Sequence, residues 1–241
     1  MGLSPDSPPV SPSSSPSRSK GMPTRSLFMV ELLLALVVTR IPYLSVPFKW
    51  LESYFHEASH ALATLVSGGI VSHIELYPNG AGLCVSQGGW PVLIGFAGYF
   101  GAALWGLLIF HLATWARGIR VSFSCLGLVV LLSIVLWGRD LLTVAILLML
   151  ALLFLLPLKL SHSPLLTFAL RVMALMVMLN ALASPTVLLG MPGRGDAAML
   201  AEQTWIPAWI WVGVWLLTSL TMLWLCWRRV DNANQVGSQK V

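Results

Sequence analysis

Three polar residues stand together in "FHEASHALATLVSGG", residues 55–69 of an otherwise apolar chain. His56 and His60 are four positions apart. On an α-helix that spacing puts both on one face, with Cβ atoms about 5–6 Å apart. Two imidazoles so placed can reach one metal ion. Glu57, offset by one position, need not coordinate and can stand beside a metal-activated water as a general base. This is the logic of His-Glu-x-x-His. Zinc in such a site acidifies water and polarises a peptide carbonyl, and the carboxylate moves the proton.

Five His and five Glu in 241 residues give about 0.002 chance occurrences of the pattern. The competing reading is a pair of satisfied histidines lining a polar seam between helices. Glu52, His56, His60 and Thr64 recur every four residues and make one polar stripe. Glu52 either orients His56 from behind or sits at the water interface near Lys49.

A catalytic zinc usually takes three protein ligands and keeps one position open. The third must come from elsewhere in the chain. Asp140, Asp196, Glu202, His73, Glu75, His111 and His162 are the candidates. Asp140 adjoins Arg139 and reads as an ion pair in a turn. His111 reads as a packed or interfacial histidine late in a span. His162 and Glu75 read as solvated loop residues, and Glu202 as facing water near a helix start. His73 is close enough in sequence to reach the metal but falls in a predicted strand. Asp196 is placed best, because it follows the flexible "GRG" and opens a helix that leads into the apolar region. Its alternative role is a plain helix N-cap.

The elements that must position these residues follow from hydropathy. Hydrophobic residues make up 57% of the chain and charged residues only 10%, against about 25% charged in a soluble domain. The apolar residues come in blocks of about 18 or more, which read as membrane spans. The expected class is therefore an all-α polytopic membrane protein. The net charge of +5 sits in tails and short connections, as around membrane helices, and does not point to nucleic acid. Cys84, Cys125 and Cys226 are scattered and fit neither a disulfide framework nor a cysteine metal site.

Residues 1–25 are rich in Ser and Pro and read as a disordered tail. Residues 26–229 read as the membrane-embedded domain and 230–241 as a polar tail. Apolar runs cover about 26–44, 90–114, 121–137, 141–158 and 165–185. The motif helix begins after Pro47 and stops at Gly68–Gly69, and a final run spans about 197–227, starting polar and ending in tryptophans. Residues 70–86 place β-branched residues on both sides of Asn79–Gly80, a hairpin signal. Gly98, Ala102 and Gly106 give one helix a smooth face for close packing. Six or seven spans fit. Arg and Lys at both ends favour cytoplasmic termini, hence an even number, with the motif helix dipping partway.

The chain resembles the site-2 protease family of membrane-embedded zinc metallopeptidases, and within it the short B-like branch. The resemblance rests on "FHEASHALATLVSGG", the hairpin "IELYPNGAGLC", "AGYFGAALWG" in the next span and "GDAAMLAEQTWIPAWIWVGVW" near the end. It implies peptide hydrolysis within the membrane, with zinc held by His56, His60 and Asp196 and with Glu57 as base. The aspartate stands here in Gly-Asp-Ala-Ala, where better-known members carry Asn-Pro-Asp-Gly or Leu-Asp-Gly. The expected partners are the lipid bilayer and a membrane protein or peptide substrate. The competing classes are a non-catalytic scaffold that keeps the fold and a metal transporter. The second is weaker, because transporters usually show two repeated halves and no repeat is visible here.

Overall fold

The computed structural model describes residues 22–115, 117–160, 163–191 and 193–238. The proposed tail up to residue 21 and the candidate ligand His162 lie outside the described residues. Among those residues the chain forms eight α-helices and one hairpin. They are α1 (Arg25–Arg40), α2 (Val46–Val66), β1 (Ile70–Leu76), β2 (Gly82–Gln87), α3 (Pro91–Ala113), α4 (Ile119–Trp137), α5 (Leu141–Leu155), α6 (Ser163–Ala183), α7 (Gly195–Thr204) and α8 (Ala208–Ser238).

Five of these helical segments are long and apolar enough to cross a membrane, beginning at Pro91, Ile119, Leu141, Ser163 and Ala208. Leu33, Leu128, Val135, Leu141 and Leu217 point outwards, as residues facing lipid do. The expectation of six or seven spans counted two more runs. The first of them, α1, has only 16 residues. The second, α2, carries Lys49, Glu52 and Glu57, which keep its composition below a membrane span's. The last expected run divides into α7 and α8, because Trp205 takes a left-handed conformation (φ 63°) between them. The polar tail expected from residue 230 continues α8 as helix to Ser238. At the other end, α1 starts at Arg25 with Thr24 as its cap, its hydroxyl accepting from the Leu27 amide.

Local chemistry sets the ends of the elements near the site. Pro47 opens the first turn of α2, where its missing N–H costs nothing. Gly68 ends that helix with φ +85°. Ser67 then bridges two elements: its hydroxyl donates to the Ala63 carbonyl and accepts from the Trp90 amide at 3.0 Å, which ties the end of α2 to the start of α3. Asp140 caps α5, accepting from the Thr143 amide at 2.8 Å. Bonding to Thr143 holds its carboxyl below the usual aspartate range.

The two strands pair antiparallel, with Ile74 opposite Cys84 and Leu76 opposite Gly82. The turn runs over Tyr77–Ala81, where the Gly80 amide donates to the Tyr77 carbonyl and the Asn79 side chain accepts from the Ala81 amide. The outer edge of β1 is fastened to the helices beyond it, and β2 meets α2, where the Thr64 hydroxyl donates to Ser86 at 3.3 Å. Ile74 bridges to Gly138, and the Leu76 amide donates to the Thr143 hydroxyl at 2.9 Å. The outer edge of β1 is thus occupied by the α4–α5 junction, while β2 pairs only with β1 among the described residues.

α6 is the most enclosed of the five long segments. Arg171 on α6 meets Glu31 on α1 in a buried ion pair, with Nε 2.9 and 3.0 Å from the two carboxylate oxygens. Both side chains lie at or below 5% exposure, so each charge depends on the other for solvation. The hydropathy pattern hid this pair, because Glu31 and Arg171 each stand alone inside an apolar run. Arg171→Leu is expected to destabilise the fold by about 3–5 kcal/mol, because it strands Glu31. Changing both residues to Leu should restore most of the thermal stability in detergent. An unchanged melting temperature for the single variant would refute the reading.

Candidate metal centre

The expected stripe forms on α2. Glu52, Glu57, His60 and Thr64 are buried, and His56 is nearly so. The backbone places Asp196 opposite, in the first turn of α7. Its Oδ2 lies 3.1 Å from His56 Nε2 and 3.2 Å from His60 Nε2. The two Nε2 atoms are 3.0 Å apart. These three residues are the group of potential metal ligands among the described residues.

Hydrogen bonding sets one tautomer. His60 Nδ1 lies 2.7 Å from the Ile94 carbonyl. A carbonyl only accepts, so Nδ1 carries the proton and, in the neutral ring, Nε2 presents a lone pair to the cluster. Three donor atoms with edges of 3.0 to 3.2 Å leave room for an ion at about 2.0–2.2 Å from each, the usual distance of zinc to imidazole nitrogen and carboxylate oxygen. The residues present fit a metal, and three ligands would leave a coordination position open. Asp196 is not the plain helix cap. The cap position falls at Arg194, whose side chain makes no capping bond.

Close packing of α3 on α2 holds the cluster together. A Cβ at Gly98 would lie 2.5 Å from His60 Nε2 and 2.6 Å from His56 Nε2, distances no real side chain tolerates. Gly101 similarly makes room for Ser59, and Gly106 for Met178 on α6. The small-residue face read from the sequence therefore does two jobs. It packs helices, and at Gly98 it clears the space in which the imidazoles meet. Tyr99 closes one side, its ring edge-on to His56 with centroids 4.3 Å apart.

Glu57 faces the other way, toward β2. Its Cγ would be 2.6 Å from a Cβ at Gly82, and the Cys84 amide lies against its carboxylate. Glu52 accepts from the Ser184 hydroxyl at 3.1 Å. It is buried rather than interfacial, and among the described residues no hydrogen bond joins it to His56. The residues surround a cleft of about 510 Å³, walled by α2, by Gly80–Cys84 and by the segment from Ser184 to Met191. Glu52, Glu57 and Asp196 bring three carboxylates to its lining, with no Lys or Arg among the described lining residues.

The remaining candidates lie elsewhere. Asp140 caps α5. His73 pairs with Glu75 at 3.1 Å on β1, and Tyr77 donates to the other Glu75 oxygen. His111 bonds the Leu107 carbonyl one turn back on α3. Glu202 is exposed on α7. Asn180, the polar residue inside α6, is buried, and its side-chain amide nitrogen has no partner among the described residues. The roles of Ile94 and Ser184 were not read from the sequence. Ile94 acts through a backbone carbonyl, which leaves no mark in residue type.

An HExxH helix buried in a bundle of apolar helices is the arrangement of a membrane metallopeptidase. The Peptidase M50B-like family model matches residues 29–226. The chain belongs to that family, and thereby to the site-2 protease group that its motifs resemble. It is an integral, multi-pass membrane protein. No curated protein and no solved structure matches it.

Proposed function

We propose that the protein is an intramembrane zinc endopeptidase, with His56, His60 and Asp196 as the metal ligands and Glu57 as the general base. The observation that carries the reading is the triangle of one oxygen and two nitrogens sharing a cleft with the Glu57 carboxylate. When bound there, zinc supplies a Lewis acid that acidifies water and polarises the scissile carbonyl. The chain's own residues do the rest. The Ile94 carbonyl fixes the His60 ring so that Nε2 faces the ligand cluster. Glu57 takes a proton from the attacking water and delivers it to the departing amine. Its burial beneath β2 keeps bulk water from competing for that proton.

The substrate is an extended peptide segment of a membrane protein. A helix hides its peptide bonds behind side chains, so the segment must unwind before it can be cut. The unpaired edge of β2 is suited to hold it by strand addition, because β1 already has both edges engaged. Gly82 keeps that strand close to Glu57. Six crossings, with α1 as the sixth, complete the bundle, and α2 is embedded without spanning.

The test is hydrolysis of a mixed pool of membrane-protein segments by purified protein in detergent, with products identified by mass. Cleavage should stop with a zinc chelator and return with added zinc. Gly80→Val should reduce it at least about tenfold with the metal retained, because φ is +88° there and a β-branched residue resists that conformation. Chelator-insensitive cleavage would remove the metallopeptidase reading. Full activity in Gly80→Val would remove the strand-addition step.

A further inference from the structure

We infer that a groove between α1, α6 and α8 is a binding site for an anionic phospholipid, with one acyl chain along the groove and the phosphate against Arg228 and Arg25. The groove shares no lining residue with the cleft around the histidines. It therefore stands whether or not the protein is a peptidase.

The groove holds about 390 Å³, and every described residue lining it is apolar. Phe28, Leu32 and Leu36 of α1 supply one wall, Leu223 and Trp227 of α8 another, and Leu179 of α6 the third. Residues 28, 32 and 36 recur every four positions and so share one face of α1. The two outer helices are tied together at one end. There Arg25 pairs with Asp231, the Phe28 ring packs on Trp227, and the Asn234 amide donates to the Pro23 carbonyl just before α1. Beyond that end no side-chain hydrogen bond, ion pair or ring contact joins α1 to α8 among the described residues. The space between them is the groove.

Its size selects a chain rather than a helix. Leu36 and Trp224 are exposed, so the groove opens sideways to the bilayer. From Phe28 to Leu36 the wall runs eight residues, about 12 Å at 1.5 Å per residue. A helix about 10 Å across would need roughly 900 Å³ over that length, more than twice the space present. A helix could rest only on the rim, whereas an acyl chain, a single file of methylenes, fits inside.

Charge selects the headgroup. The Arg228 guanidinium lies 5.1 Å from the centroid of the Trp224 ring, and that ring lines the groove. Arg228 is exposed and pairs with no carboxylate among the described residues. Arg25 stands one turn before Phe28 on the same helix, and its side chain remains 49% exposed beside Asp231. Arg229 follows at once and donates to Thr114. Three cations against Asp231 leave this mouth positive, since Glu31 is buried against Arg171. Tryptophan with arginine is the pairing found at the level of lipid headgroups. An apolar slot that ends in guanidiniums matches an anionic phospholipid end to end. The phosphate accepts charge-assisted bonds from arginine, while the Trp224 face holds the Arg228 guanidinium beside it. A choline headgroup would bring a second cation to the same place and lose most of that gain.

The test is native mass spectrometry of the full-length, delipidated protein, titrated with phosphatidylglycerol or with phosphatidylcholine of the same acyl chains. Wild-type protein should bind its first phosphatidylglycerol at least about fivefold more tightly than phosphatidylcholine, the worth of about one arginine at an anionic headgroup. Arg228→Gln should bring the two lipids to within about twofold of each other, because it removes about one such contribution. Arg40→Gln, at the far end of α1, should leave the preference unchanged. Leu36→Trp, whose ring would fill the slot, should weaken both lipids together. Arg228 and Leu36 are both exposed, and circular dichroism on each variant checks that it is folded. Equal binding of the two lipids by wild-type protein would overturn the site, as would an undiminished preference in Arg228→Gln. A dimer of delipidated wild-type protein that Leu36→Trp dissolves would put a second copy on this face instead. Retention of a peptide mass in place of a lipid would also refute the assignment.

Discussion

Glu57→Gln is expected to lower peptide cleavage by about 10²–10⁴-fold, the usual contribution of a general base, while leaving the bound metal in place. The side chains are nearly isosteric, and Glu57 is not one of the three residues whose donor atoms converge. Its carboxylate sits against Gly82 and the Cys84 amide, so the amide variant keeps the packing and loses only the ability to accept a proton. The loss should appear mainly in kcat, because in the proposed binding mode β2, not Glu57, holds the substrate strand. Measuring kcat, KM and metal content on the same preparations separates the roles. A variant that keeps its metal and cleaves at the wild-type rate would leave the fold with a binding function instead of a catalytic one.

Gly98→Val is expected to abolish both metal binding and cleavage without touching any ligand. The added atoms would collide with His60 Nε2 and with His56. Neither ring can retreat easily: His60 is held by the Ile94 carbonyl, and His56 is flanked by Tyr99. The helices must separate or the rings must turn, and either change breaks the 3.0 to 3.2 Å spacing of the donors. Gly98→Ala adds a single methyl and should weaken metal retention to a lesser degree. Helical content, followed by circular dichroism, should stay near wild type in both. Undiminished zinc in Gly98→Val would show that the approach of α3 does not shape the site.

The sequence made the histidine pair legible because its signal is local: two histidines and a glutamate within five residues of one helix. The hairpin was legible for the same reason, since its turn chemistry is carried by Pro78, Asn79 and Gly80 in a row. Asp196 lies 136 residues beyond His60, and its position after a glycine-rich stretch, at the start of a helix leading into the apolar region, favoured it over six others. The ion pair between Glu31 and Arg171 gave no local signal at all, because its members are 140 residues apart. Five of the expected spans were legible, and the count beyond them was not, because composition is mixed in α1 and α2. Glu52 and Glu57 on α2 line the cleft, and α1, 16 residues long, carries the buried Glu31 that pairs with Arg171 on α6. Glu52, for which an interfacial position was an open reading, is buried because Ser184 offers it a hydroxyl.

The central claim is that His56, His60 and Asp196 hold one metal ion together, and elemental analysis of purified protein tests it most directly. Wild-type protein, His56→Ala and Asp196→Ala would be prepared in the same detergent without chelators. The account predicts about one zinc per chain in the wild type and little or none in either variant, each of which retains only two of the three ligands. Zinc kept at the wild-type level in Asp196→Ala would contradict the three-ligand site, and carefully handled wild-type protein without zinc would contradict the metal centre itself.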